Sequence, residues 1–305
     1  MFNTRTRQKH NFVKVPLLAL ASLAFMSVSA SAEDELFLAT LANDKVVNVQ
    51  NISQRAGYDN QPHFTPDNQQ LLYTAQFTLA DGLQTDSMSY DLATGDTVNL
   101  TNSIASEYSP TVMPDGKHFS VIYVGADGRQ RFSSYPLQGG KPSSLMANLD
   151  KNFADIGYQV WLNQDELLLF VLAEPMQLQR VNLTSGTSEL VATNIGRTLR
   201  SVPNTKLYSY NVADAKRWQM KLYNPTNKQS TDNVTLPGTS LYYAWHANGQ
   251  LLSGDGAKVL INNAKKADDE WSVWHDFSGY CAGEITRMNM SSDAKSYAFV
   301  CNTAD

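Results

Sequence analysis

The chain has 305 residues, with 24 Lys and Arg against 29 Asp and Glu, for a formal net charge of −5. An acid excess argues against nucleic acid and anionic lipid as general electrostatic partners, and the length suits one large all-β domain. The two cysteines, Cys281 and Cys301, with no paired His nearby, do not make a tetrahedral zinc set.

Residues 1–32 read as a secretory signal peptide. Arg5, Arg7, Lys9 and Lys14 form a basic head, 15–28 is apolar, and Ala30-Ser31-Ala32 precedes the expected cleavage point. The alternative is a single membrane anchor, but the apolar run is short for a bilayer span, and Pro16 and several Ser interrupt it. No Cys lies near the cleavage point, so a lipid-modified N-terminus is not expected. Cleavage removes four of the 24 basic residues and none of the acidic ones, giving a mature net charge of about −9. The expected setting is the periplasm or the exterior, with no membrane span after cleavage.

The first mature segment, 40–51, is half of a repeat. Its Val47-Asn48-Val49-Gln50-Asn51 matches Val98-Asn99-Leu100-Thr101-Asn102 in the first full copy. The opening phrase Gln61-Pro62-His63-Phe64-Thr65-Pro66-Asp67-Asn68 returns 48 positions later as Ser109-Pro110-Thr111-Val112-Met113-Pro114-Asp115-Gly116. Such a period signals a solenoid, an array or a propeller. In each copy a Pro-Asp turn is followed by an apolar run, Leu71-Leu72-Tyr73 or Phe119-Ser120-Val121-Ile122-Tyr123, which predicts a strand, a reversal and a second strand. Later hairpin turns recur at Gly95, Gly140 and Gly186, and more weakly at Asn224-Pro225-Thr226-Asn227-Lys228. Asp81-Gly82, Asp127-Gly128 and Asp255-Gly256 supply a third turn, so each repeat has four strands.

Weaker starts follow at Val160-Trp161-Leu162-Asn163-Gln164, Val202-Pro203-Asn204-Thr205, Trp245-His246-Ala247-Asn248-Gly249 and Met290-Ser291-Ser292-Asp293-Ala294, making six. The last has chain left for two strands only, and the N-terminal half-repeat complements it. A ring closed in this way leaves no exposed sheet edge. The predicted fold is therefore an all-β, six-bladed β-propeller over 33–305, with its last blade closed by N-terminal strands. Cys281 and Cys301 flank the final hairpin and are expected to form a disulfide in an oxidising compartment; two buried free thiols are the alternative.

The boxes Thr65-Pro66-Asp67-Asn68 and Met113-Pro114-Asp115-Gly116 resemble the Ser-Pro-Asp-Gly phrase of the TolB-like family of exported propellers. The resemblance covers 57–301 at the level of the repeats. It implies the propeller fold and a periplasmic setting. TolB carries an α/β domain before its propeller, for which 33–51 is too short.

Catalytic motifs do not emerge from the sequence. It contains no Gly-x-Ser-x-Gly elbow, no phosphate-cradling loop and no length for a hydrolase domain beside the propeller. His63 and His246 sit near innermost strands and are the channel candidates, for metal binding or proton transfer or simply as strand residues. His118 reads as a solvated strand residue, and Asp268-Asp269-Glu270 as a solvated turn more than a Ca²⁺ loop. Asp67, Asp115 and Asp293 recur at one turn and are expected to cap it. The loops entering the innermost strands carry Tyr58, Asp59, Glu107, Tyr108, Asp155, Tyr158, Tyr242, Tyr243 and Glu284. Acids and aromatics on one ring face suit a protein or peptide partner, cationic or neutral; packing of the Tyr rings between blades is the alternative. The expected function is a periplasmic, non-catalytic, monomeric binding propeller without cofactor. The alternative is a propeller enzyme acting on a carbohydrate or small metabolite with a divalent metal in the channel.

Overall fold

The computed structural model describes residues 33–80, 82–150, 152–263 and 270–303; the signal-peptide reading of 1–32 and the acids Asp81, Asp268 and Asp269 lie outside them. The described chain begins with β1 (Glu33–Ala42) and β2 (Lys45–Asn51). The first continuous blade runs through β3 (Asp59–Phe64), β4 (Gln70–Leu79), β5 (Gly82–Asp91) and β6 (Thr97–Asn99). The second has β7 (Ser106–Val112), β8 (His118–Val124), β9 (Gln130–Pro136) and β10 (Ser143–Ser144). The third has β11 (Ile156–Trp161), β12 (Glu166–Val171), β13 (Gln177–Asn182) and β14 (Thr187–Thr193). The fourth has β15 (Ile195–Ser201), β16 (Tyr208–Asp214), β17 (Arg217–Asn224) and β18 (Gln229–Thr235). The fifth has β19 (Tyr243–Trp245), β20 (Leu251–Asp255), β21 (Lys258–Asn262) and β22 (Ser272–Asp276), before β23 (Glu284–Met290) and β24 (Ser296–Thr303).

These strands form six four-stranded antiparallel sheets, a six-bladed β-propeller as the repeats predicted. The closing sheet has the order β2-β1-β24-β23, so both chain ends build one blade. β1 pairs with β24 from Glu33↔Thr303 to Thr40↔Ser296. Leu36, Leu38, Ala298 and Val300 pack on Leu71 and Tyr73 of the first blade, while Phe37, Tyr297 and Phe299 pack on Leu252, Val259 and Phe277 of the fifth. The Phe37 and Phe299 rings stack at 5.3 Å. Cys281 and Cys301 are disulfide-bonded within that second cluster.

Burial follows from position in the blade. Second strands lie between neighbouring blades and read as continuous apolar runs, as in Leu167-Leu168-Leu169-Phe170-Val171, all buried. Outermost strands are polar; the first four residues of β18, Gln229, Ser230, Thr231 and Asp232, are exposed, which suits a sheet edge open to water. The recurrent Asp residues hold the turn between first and second strands. Asp67 Oδ1 accepts from Thr65 Oγ1 at 2.6 Å and from the Gln69 amide at 3.1 Å. Asp115 accepts from the amides of Lys117 and His118, and Asp293 from Ser291 Oγ and the Lys295 amide. Gly95 and Gly186 adopt φ of 81° and 72°, the left-handed conformation their hairpins require.

Candidate functional site

The innermost strands β3, β7, β11, β15, β19 and β23 enclose the central channel. Equivalent positions can be read from one hydrogen bond. The amides of Thr65, Met113, Leu162, Val202, His246 and Ser291 each bond back across the first hairpin of their blade. Two residues before these stand His63, Thr111, Val160, Arg200, Ala244 and Asn289; four before stand Gln61, Ser109, Tyr158, Thr198, Tyr242 and Arg287. All twelve line the channel. The pairing register shifts between the first and second strands of five of the six blades, all but that of β19. Gln61 and Ser109, each preceding a proline, adopt φ of 60° and 57°. Bulges and positive φ at non-glycine residues cost energy and recur at functional sites.

At the mouth where the chain enters the innermost strands, rings surround a guanidinium group. Arg287 lies over the rings of Tyr242 and Tyr158, at 4.6 and 5.4 Å from their centroids. Its Nη2 donates to Tyr158 Oη at 2.6 Å and its Nη1 to Asn60 Oδ1 at 3.2 Å. Tyr58 meets Tyr108 edge-on at 6.4 Å, and both line a cleft of about 310 Å³ shared with Tyr158 and Arg197. Burial pushes the Tyr58 hydroxyl far above its ordinary range, so it remains a neutral donor.

Below the mouth the channel narrows to a waist of about 70 Å³, then opens into a cavity of about 370 Å³ toward the Pro-Asp turns. His63, Thr111, Gln159, Leu199 and Arg200 line both. Arg200 Nη2 donates to the Met288 carbonyl at 2.8 Å. Burial, with the like charge of Arg287 adding to it, lowers Arg200 to about 10, which still leaves it cationic at neutral pH. Burial and Arg200 together push His63 down to about 4, so His63 is neutral.

Several residues expected at the rim are interior. Asp59 is fully buried; Arg55 Nη2 donates to it at 2.6 Å, yet burial still raises its carboxyl to about 6. Glu107 is fully buried, accepting from Ser103 Oγ at 2.6 Å and Tyr135 Oη at 2.7 Å. Tyr243 is buried, its hydroxyl donating to the Thr198 carbonyl at 3.3 Å. The reason is geometric: Tyr243 alternates with the channel-lining Tyr242 and Ala244, while the register shifts in β3 and β7 turn Asp59 and Glu107, two positions before Gln61 and Ser109, into the blade. Tyr58, Tyr108, Tyr158 and Tyr242 are partly buried at the mouth, Asp155 pairs with Arg129, and Glu284 is exposed.

His63 lines the channel, whereas His246 does not. It is the turn residue itself, buried, with Nε2 3.1 Å from Asp44 Oδ1 and its ring edge-on to Trp274 at 5.9 Å. His118 is a partly buried strand residue whose Nδ1 lies 2.6 Å from Asp115 Oδ2. Sequence reasoning missed Arg197, Arg200, Arg287 and Gln159. For Arg200 and Arg287 a signal was present once the repeats are aligned on the turn, because they stand two and four positions before it, where residue type varies from blade to blade; Gln159 and Arg197, three and five before, carry none.

No family model matches the sequence, and no curated protein matches it. Solved structures do match in fold. A structure described as a putative TolB from Agrobacterium tumefaciens aligns with 90% of this chain and 100% of its own, at TM-score 0.67 and 12% identity. A gluconolactonase from Xanthomonas campestris aligns over 83% and 88%, at TM-score 0.62 and 8% identity. An oligogalacturonate lyase from Vibrio parahaemolyticus aligns over 84% and 81%, at TM-score 0.54 and 10% identity. At these identities the likeness is one of fold, and propellers host both binding proteins and enzymes.

Proposed function

We propose that the protein is an exported, monomeric binding propeller of the TolB-like kind, acting in the bacterial envelope and taking a protein or peptide at the channel mouth. The observation that carries this reading is the mouth itself: four tyrosines come from four blades, Tyr158 and Tyr242 flanking Arg287 and Tyr58 and Tyr108 meeting in the adjoining cleft. Tyr and Arg are the side chains that anchor interfaces, since each offers a large surface with few rotors and a polar tip. The Cys281–Cys301 disulfide supports an oxidising compartment. Where the acidic sequence suggested a cationic or neutral partner, Arg197 and Arg287 at the mouth favour a neutral or acidic segment there. A divalent metal in the channel, the second reading, would have to sit beside Arg200 and Arg287 with a single His, His63, as a neighbouring ligand.

Affinity capture from envelope extract, with partner identification, tests the reading when wild type and Tyr108→Ala/Tyr242→Ala are run side by side. The expected result is one stoichiometric protein, retained at least tenfold less by the variant at an unchanged thermal midpoint. A destabilised variant with undiminished capture would assign the rings to packing.

A further inference from the structure

The waist of the channel concentrates positive charge that the described residues do not neutralise. Nine ion pairs occur among these residues, and none includes Arg197, Arg200 or Arg287. Every hydrogen-bond acceptor of Arg200 and Arg287 is neutral: the Met288 carbonyl, the Tyr158 hydroxyl and the Asn60 amide oxygen. The nearest carboxylate along these bonds, Asp34, is reached only through Asn60. A guanidinium group withdrawn from water without a counter-charge is costly, and two placed near each other cost more.

Unused hydrogen-bonding capacity converges on the same place. Arg200 Nε is buried and has no partner, and neither does Ser109 Oγ; both residues line the waist. Ser109 is itself held in a positive-φ conformation, with its amide fixed on Gln61 Oε1 at 2.8 Å and Thr74 Oγ1 at 3.1 Å. Its carbonyl is fixed by Gln159 Nε2 at 2.8 Å. A second network thus fixes Ser109, whose buried hydroxyl is unpaired, beside the cationic chamber.

We propose that the waist binds an oxyanion, a carboxylate or phosphate group, with Arg200 as its main counter-charge and Ser109 Oγ as an auxiliary donor. The planar guanidinium fork matches such groups in shape as well as charge. The ligand bearing the group is either a small free acid whose remainder occupies the adjoining 370 Å³ cavity, or the end of a peptide entering from the mouth. Positive charge inside a low-dielectric tunnel on an otherwise acidic surface also focuses the field along the channel axis and draws anions in. The site adjoins the mouth, since Tyr158, Tyr242, Arg197 and Arg287 line the same space as Arg200; the two readings are told apart by their variants, Arg200→Gln for the oxyanion and Tyr108→Ala/Tyr242→Ala for the mouth.

Calorimetric titration of the purified protein at low salt tests it, with inorganic phosphate, succinate, and one hexapeptide with a free or an amidated C-terminus as probes. Saturable binding of phosphate or succinate that weakens at least tenfold in Arg200→Gln, and is unchanged in the surface variant Arg129→Gln, upholds the site with a small-acid source. Binding of the free peptide alone, lost on amidation and in Arg200→Gln, upholds it with a chain-end source. If Arg200→Gln does not fold, Arg200→Lys, which keeps the charge and loses the fork, serves for the same comparison. Absence of saturable binding by every probe, or binding that either folded Arg200 variant leaves unchanged, overturns the proposal.

Discussion

The two ends of the channel are built on opposite principles. At the turn end, the same device recurs: Asp67, Asp115 and Asp293 each accept from a neighbouring amide and satisfy their own hairpin. At the mouth end, equivalent positions carry different groups, Gln61, Ser109, Tyr158, Thr198, Tyr242 and Arg287, and the buried Ser109 hydroxyl is left unpaired. Repetition marks what every blade needs for its own folding. Departure from repetition, at positions that face a shared space, marks what the ring needs only once.

That contrast assumes a closed ring, and the largest effect comes from opening it. Deleting 33–51 removes β1 and β2, and with them the buried Leu36, Phe37, Leu38 and Leu41. At about 1.5–3 kcal/mol for each such side chain, the loss reaches the whole stability of a typical domain, about 5–15 kcal/mol. The expected outcome is loss of cooperative thermal unfolding by circular dichroism, and a cooperative melt at the wild-type midpoint would deny the closure.

The next effect tests whether mouth-end acids belong to the core. Glu107→Ala should destabilise by about 2–4 kcal/mol, since it leaves a void and strips the buried Tyr135 hydroxyl of its acceptor. Glu107→Gln keeps that acceptor and should cost about 1 kcal/mol or less. Denaturant titration separates the two, and equal losses would show that the carboxylate charge itself matters.

Between the two ends lies His63, whose effect depends on pH. It titrates near 4 when folded, against about 6.5 for an unfolded histidine. As pH falls from 6.5 toward 4 the unfolded chain takes up the proton first, so stability is full above that window and declines through it. Because His63 is partly exposed, the decline is expected to be no more than about 2 kcal/mol. Asp59, raised to about 6, acts in the opposite sense: its folded form takes up the proton first, so acid favours folding between 6 and about 4. Comparing wild type with His63→Gln across pH 4–7 isolates the histidine, and parallel curves would remove it from the account.

The smallest effect belongs to the repeated turns. Asp115→Ala should cost about 0.5–1.5 kcal/mol by removing its bonds to the amides of Lys117 and His118. Ligand binding at the channel should not change. A binding defect in this variant, measured with the same probes, would blur the division between the two ends.

The sequence by itself determined the ring. The recurrence of Pro-Asp turns, the spacing of hairpin glycines and the complementary half-repeats at 40–51 and 290–301 are local signals, each written in contiguous residues. They carry blade number, strand number and closure because hairpin geometry depends on a few neighbouring residues. The acid-aromatic rim was legible only in part: Tyr58, Tyr108, Tyr158 and Tyr242 do gather at the mouth, whereas Asp59, Glu107 and Tyr243 face inward. For Asp59 and Glu107 bulges decide this, since one extra residue turns a strand's next side chain to the other face and no residue type announces it, whereas Tyr243 on the unshifted β19 follows plain alternation. The aligned repeats mark the positions of Arg200 and Arg287 one by one, but their meeting in a cationic waist was out of reach of the sequence for a related reason. Arg200 and Arg287 stand in different blades, near positions of His63 and Ser109 in two others, and only closing the ring turns four dispersed residues into one chamber.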